Sequence, residues 1–116
     1  VDIFNPKTIR ATMGSIFRVP FVYVPDLAPV LEQMHAKGIH TYAAHLKGQE
    51  YYDSFSFREP TAFLIGNEGN GLSKEISDQA GQYLKIPMEG RVESLNASIA
   101  AALLMYEAHR QRSARL

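Results

Sequence analysis

The chain has no cysteine, no net charge and no long apolar run, and each absence closes off a class of function. Without cysteine in its 116 residues, disulfides and thiolate metal sites are excluded. Twelve Lys and Arg balance twelve Asp and Glu, so any nucleic-acid surface has to be local. No apolar stretch approaches the length of a bilayer and no secretory signal opens the chain, which sets a cytoplasmic protein without membrane contact as the expectation. His35, His40, His45 and His109 lack metal-ligand spacing such as H-E-x-x-H, and no Ser-His-Asp arrangement is evident, so neither a metal nor a hydrolytic triad is expected. What remains is a hydrophobic content of 46%, ordinary for a globular protein, in a length that suits one domain with a real core. Because it opens on Val1 and not on methionine, it is expected to be a piece of something longer.

Asn5-Pro6 is a helix start, with asparagine as N-cap and proline at the first helical position, and Gly14 is a stop. Phe21-Val22-Tyr23-Val24, continuously apolar before Pro25, predicts a strand buried on both faces. Asp26 caps a helix in which Leu27, Val30, Leu31 and Met34 repeat at helical spacing and which Lys37-Gly38 closes. Ile39 to Ala44 reads as a weaker strand, Lys47 to Pro60 as a polar and aromatic loop, and Ala62 to Ile65 as a second strongly buried strand. Ser73 to Ala80 is a helix stopped at Gly81. Tyr83 to Ile86 alternates in polarity and ends at a proline, as a strand end does. The last helix runs from Ser94 to about Arg112, with Leu95, Ile99, Ala102, Leu103 and Tyr106 on one face. Strands alternating with helices give an α/β layered fold with a parallel sheet.

The densest chemistry lies in Phe63-Leu-Ile-Gly-Asn-Glu-Gly-Asn-Gly-Leu-Ser73, a buried strand that runs into a glycine-rich loop. Loops leaving the carboxyl ends of strands are where open α/β sheets bind ligands. The familiar glycine loops do not fit. A P-loop counted from Gly66 needs lysine after Gly71 but meets Leu72, and a dinucleotide fingerprint counted from Gly69 needs glycine where Lys74 stands. A tight turn before an N-capping Ser73 is one reading. Three glycines and the carboxylate of Glu68 within six residues exceed what a turn requires, and a ligand site is the other. Glu68 reads equally as a solvated loop acid or as an acceptor that positions a reacting group. Ser94 reads as an N-cap, and the helix it opens as an anion site, two roles that are compatible. Lys7, Arg10, Arg18 and Arg58 form either a solvated face or phosphate contacts. Tyr51, Tyr52 and Phe55 either stack on unpaired bases or pack on one another.

Three segments in order resemble one family. Arg10-Ala-Thr-Met-Gly-Ser-Ile-Phe-Arg-Val-Pro20, then Leu64-Ile-Gly-Asn-Glu-Gly-Asn-Gly-Leu72, then Ile86-Pro-Met88 with Ser94-Leu-Asn-Ala-Ser98 are similar to the SpoU (TrmH-like) RNA ribose 2'-O-methyltransferases, the last two to their second and third motifs. The resemblance implies the SPOUT-type α/β knot, a deep trefoil near the carboxyl terminus. It also implies a homodimer, S-adenosylmethionine as cofactor, and methyl transfer to a ribose 2'-hydroxyl of ribosomal or transfer RNA. By position it places cofactor contacts on Gly66, Ile86 and Leu95, with Asn67, Gly71 and Met88 close by. Glu68, Ser94 and Asn96 fall on active-site positions. On that reading Gly66→Val fills the space that adenosine needs and leaves the fold intact. The family's first motif, with the arginine that activates the hydroxyl, does not occur before Val1, and Arg10 belongs to the following segment. Residues 1–116 are therefore expected to be the carboxyl-terminal part of the methyltransferase domain, with any upstream RNA-binding domain absent. The alternative is a non-catalytic RNA-binding or dimerisation module that keeps the knot.

Overall fold

In the computed structural model, residues 4–15, 18–45, 48–66, 71–87 and 96–113 are described. They form helix α1 (Pro6–Ala11), helix α2 (Ala28–Ala36), strand β1 (His40–Ala44), strand β2 (Thr61–Leu64), helix α3 (Lys74–Gln79), strand β3 (Gln82–Leu84) and helix α4 (Ala97–Ser113). The three strands make one parallel sheet in the order β2-β1-β3. The α/β class with a parallel sheet is as the sequence predicts.

Local chemistry sets the helix ends. Asn5 Oδ1 accepts from Lys7 N at 2.9 Å in front of α1, and Asp26 Oδ1 accepts from Ala28 N at 3.0 Å in front of α2. At the other end of α2, Ile39 N donates to Met34 O and Gly38 N to His35 O, with Gly38 at φ +78°. That is a Schellman closure, which needs the left-handed residue that glycine supplies. Ser73 Oγ accepts from Ile76 N at 3.2 Å and caps α3 as expected.

The sheet has two apolar faces because side chains alternate along each strand. On one face Leu31 of α2, Ala43 and Leu64 are buried, with Leu72, Ile76 and Tyr83 packed on them. On the other, Tyr42, Phe57, Leu84, Leu104 and Ala108 form the core, with Phe55, Phe63, Ile65 and Ile86 around it. β1, the weaker strand by sequence, is the central one. Its polar Thr41 is 2% exposed, and its hydroxyl oxygen accepts from Gly81 N at 2.8 Å and lies 2.7 Å from His35 Nε2.

Three expectations need correction. Phe21–Val24 is in no strand: Val22 is 79% and Tyr23 64% exposed, and Phe21 makes ring contacts with Phe4 and Tyr23. A doubly buried strand needs a layer on each face, and no described element covers this one. The last helix starts at Ala97, later than Ser94. Asn96 caps it, its Oδ1 accepting from Ser98 N at 2.8 Å and Ile99 N at 3.4 Å. The buried stripe of α4 is Ala100, Leu104, Glu107 and Ala108, not the face of Ile99, Leu103 and Tyr106, which are 53%, 39% and 73% exposed. The helix carries two apolar stripes, and the alanine-rich one lies flatter against a core already filled by Tyr42 and Phe57.

Glu107 is the acid on that buried stripe. Arg110 Nε and Nη2 each donate to its carboxylate at 2.8 Å, as does Gln111 Nε2. The Arg110 hydrogen bonds hold its pKa below the ordinary 4.5, against the opposing effect of burial. A depressed acid contributes stability above its unfolded pKa and loses it as pH falls through the folded value. The melting temperature is therefore expected to hold through neutral pH and to drop as pH falls below about 4.5. Thermal melts against pH check this, and Glu107→Gln should shrink the drop.

Candidate functional site at the carboxyl edge of the sheet

Because the strands are parallel, β1, β2 and β3 all release their chains at the same edge. The chain steps from β1 to one neighbour, β2, and then crosses to the other side for β3, so β1 marks the topological switch point. Ligands of open α/β sheets bind outside such a point. The exits are His45 after β1, Ile65-Gly66 after β2 and Lys85-Ile86 after β3.

Gly66 is where the sequence predicts a site residue, and the structure gives it a different reason. A Cβ on Gly66 would overlap the backbone of Gly71 and Leu72. The two ends of the glycine loop thus close directly on each other, with Gly71 at φ +65° and Leu72 held in the core beside Leu64. The expectation that Gly66→Val acts only by filling ligand space is corrected: any side chain there strikes the loop's own backbone first. Ile86 lies two residues past β3 and packs on the same core as Leu104 of α4. Asn96 opens α4, about 12 Å along the helix from Leu104. Its carboxamide oxygen accepts from Ser98 N and Ile99 N and so caps the helix. Asn67, Glu68, Met88, Ser94 and Leu95 lie outside the described residues.

Sequence reasoning passed over two neighbours of the edge. His45 stacks on Tyr83 with ring centroids 4.7 Å apart and planes 13° from parallel. The Tyr83 hydroxyl donates to Asp78 Oδ1 at 3.0 Å, a bond that raises the phenol pKa above its usual value. The only sequence signal for this pair was the period-two placement of Ala43 and His45 on one strand face. Of the loop aromatics, Phe55 packs on Tyr42 with centroids 5.3 Å apart, and Tyr52 is half-buried against the core, while Tyr51 stays 48% exposed. Lys7, Arg10, Arg18 and Arg58 are exposed, with Arg10 Nε donating to Pro6 O at 3.4 Å.

A separate cleft of about 290 Å³ opens at the opposite edge, lined by His35, His40, Thr41 and Gln82 among others. It lies away from the glycine loop, and its polar groups are engaged: His40 Nε2 is 2.8 Å from Glu59 Oε2, and His35 meets Thr41. Among the described residues no group of three acids or histidines could hold a metal ion, and no helix is long and apolar enough to cross a membrane.

The chain resembles known proteins in sequence and in fold. A Bacillus subtilis protein, YacO, assigned to the TrmH family of tRNA/rRNA methyltransferases, is 38% identical over 90% of the chain and 42% of its own length. The SpoU methyltransferase AviRb from Streptomyces viridochromogenes, solved in complex with AdoMet, superposes with a TM-score of 0.88 at 37% identity, over 99% of this chain and 46% of that one. An RNA 2'-O ribose methyltransferase superposes at 0.85 with 33% identity, over 97% and 43%. The chain therefore spans a little under half the length of these relatives. The SpoU rRNA Methylase family matches residues 1–106, and the chain belongs to that family.

Proposed function

We propose that this chain is the carboxyl-terminal part of the methyltransferase domain of a cytoplasmic enzyme that transfers a methyl group from S-adenosylmethionine to a ribose 2'-hydroxyl of ribosomal or transfer RNA. The observation that carries the reading is the closed glycine loop at the switch point: Gly66 against Gly71-Leu72 at the exit of β2, with the Ile86 exit of β3 at the same edge. Leu72 stands where a P-loop needs lysine, so a loop whose ends close this tightly suits a neutral adenosine better than a phosphate. Gly66, Ile86 and Leu95, with Asn67, Gly71 and Met88, would hold the cofactor. Glu68, Ser94 and Asn96 would act on the reacting groups or orient the helix that carries them. Transfer is an in-line displacement: the 2'-oxygen bonds to the methyl carbon, the carbon–sulfur bond breaks, and a base takes the hydroxyl proton.

The knot belongs to this reading, supported by the TM-score of 0.88 to AviRb. So does a homodimer, supported by the apolar stripe of Ile99, Leu103 and Tyr106 that α4 leaves exposed, larger than scattered surface residues need. The competing reading is a knot that binds RNA and dimerises without chemistry. Methyl-labelled cofactor and total RNA, followed by alkaline digestion, test both, and RNA that takes up no label overturns the enzyme in favour of the non-catalytic module. A 2'-O-methyl group blocks alkaline cleavage, so label in resistant dinucleotides supports ribose methylation and label in mononucleotides overturns it in favour of base methylation.

A further inference from the structure

Residues 48–59 are bonded like an extra strand at two points, neither of them in the sheet proper. At the front, Lys85 N donates to Glu50 O and Tyr52 N to Lys85 O, both at 2.9 Å, a one-residue parallel ladder with Tyr51 opposite Lys85. Gly48 makes this approach possible: a Cβ there would stand 2.9 Å from the carbonyl carbon of Leu84. At the back, a side chain imitates the same ladder. Gln111 Nε2 donates to Phe55 O at 2.9 Å, and Phe57 N donates to Gln111 Oε1 at 2.5 Å. These are the carbonyl and the amide that a parallel strand opposite Ser56 would use. The second N–H of Gln111 goes to Glu107, so both donors of its carboxamide are used. Arg112 extends the contact, donating to Phe57 O at 2.8 Å and Glu59 O at 2.9 Å.

The two attachment points bracket one stretch of chain. Lys85 leads into Ile86, and Gln111 belongs to the rigid helix that Asn96 opens. The 48–59 segment thus ties the exit of β3 at Lys85 to the far end of α4 at Gln111 and Arg112, the two elements joined by the stretch on which the family resemblance places Met88, Ser94 and Leu95. We propose that residues 48–59 are a strap that fixes the spacing of those two elements, and that Gln111 is a positioning residue for cofactor binding although it touches no ligand. The inference rests on the cofactor site proposed above. It assigns the far end of α4 a part in a site about 22 Å away along the helix.

The test uses the full chain, S-adenosylmethionine titrated calorimetrically well below the melting temperature, and hydrogen exchange. Gln111→Met keeps the volume and loses the three hydrogen bonds. Gly48→Ala attacks the strap independently from its front end. Each is expected to weaken cofactor binding about ten-fold, about 1.4 kcal/mol, and to speed exchange over residues 86–96 while β1 and β2 keep their protection. A merely structural clasp would lower the melting temperature and leave affinity alone, so folded variants with the parental affinity overturn the proposal. If the parent chain itself binds no cofactor, the site assignment fails separately, and exchange over 86–96 decides the strap: faster in both variants supports it, unchanged overturns it.

Discussion

Gly66→Ala is expected to abolish S-adenosylmethionine binding and to lower the melting temperature by about 10 °C, without its methyl group ever reaching a ligand. The added carbon would overlap the backbone of Gly71 and Leu72, so the glycine loop cannot close. Backbone cannot rotate aside as a flexible side chain does, and overpacking of this kind costs about 3 kcal/mol. Opening the loop also pulls on Leu72, which is packed beside Leu31 and Leu64. Thermal melts and a cofactor titration check both halves. A variant that melts like the parent yet fails to bind would restore the simpler idea that Gly66 only makes room for adenosine. Retained binding would separate the loop from the cofactor altogether.

Phe57→Ala carries the largest expected loss of stability, about 4 kcal/mol. Phe57 is fully buried, its ring edge-on to Tyr42 at 5.1 Å and to Phe63 at 4.9 Å. Truncation leaves a cavity among rigid rings and also frees the strap whose backbone Gln111 and Arg112 hold. For a chain of this length, with a total stability of about 5–15 kcal/mol, the loss is a large fraction of the whole. Denaturant unfolding should show a lower midpoint with the slope unchanged. A loss under about 1 kcal/mol would mean that the site collapses around the smaller side chain and that the strap is not anchored through Phe57.

These two residues also show what was legible from residues alone. Gly66 was found because three glycines and an acid in six residues are conspicuous, but its reason was not, since a clash with Leu72 depends on how the loop returns. Phe57 was hidden in a stretch that read as a polar and aromatic loop. Its burial comes from Tyr42 of β1 and Phe63 of β2, which strand pairing brings together against it. β1 read as weak because His40 and Thr41 break its apolar run. Thr41 is tolerated at the centre because Gly81 and His35 satisfy its hydroxyl, partners that only the fold supplies. Helix caps fared better: Asn5, Asp26 and Ser73 act within two or three residues, so a local pattern is enough. The face of α4 was misassigned because its two stripes are similarly apolar, and periodicity cannot rank them.

The central claim is that the carboxyl edge of this sheet holds S-adenosylmethionine. A calorimetric titration of the folded chain with the cofactor, and with its demethylated product, tests it most directly. It is preferred to an activity assay because binding does not require the right RNA or the first-motif arginine. The account predicts saturable binding of one cofactor per chain, with the product competing for the same site. A chain with an intact melting transition that shows no saturable binding of either molecule would contradict it.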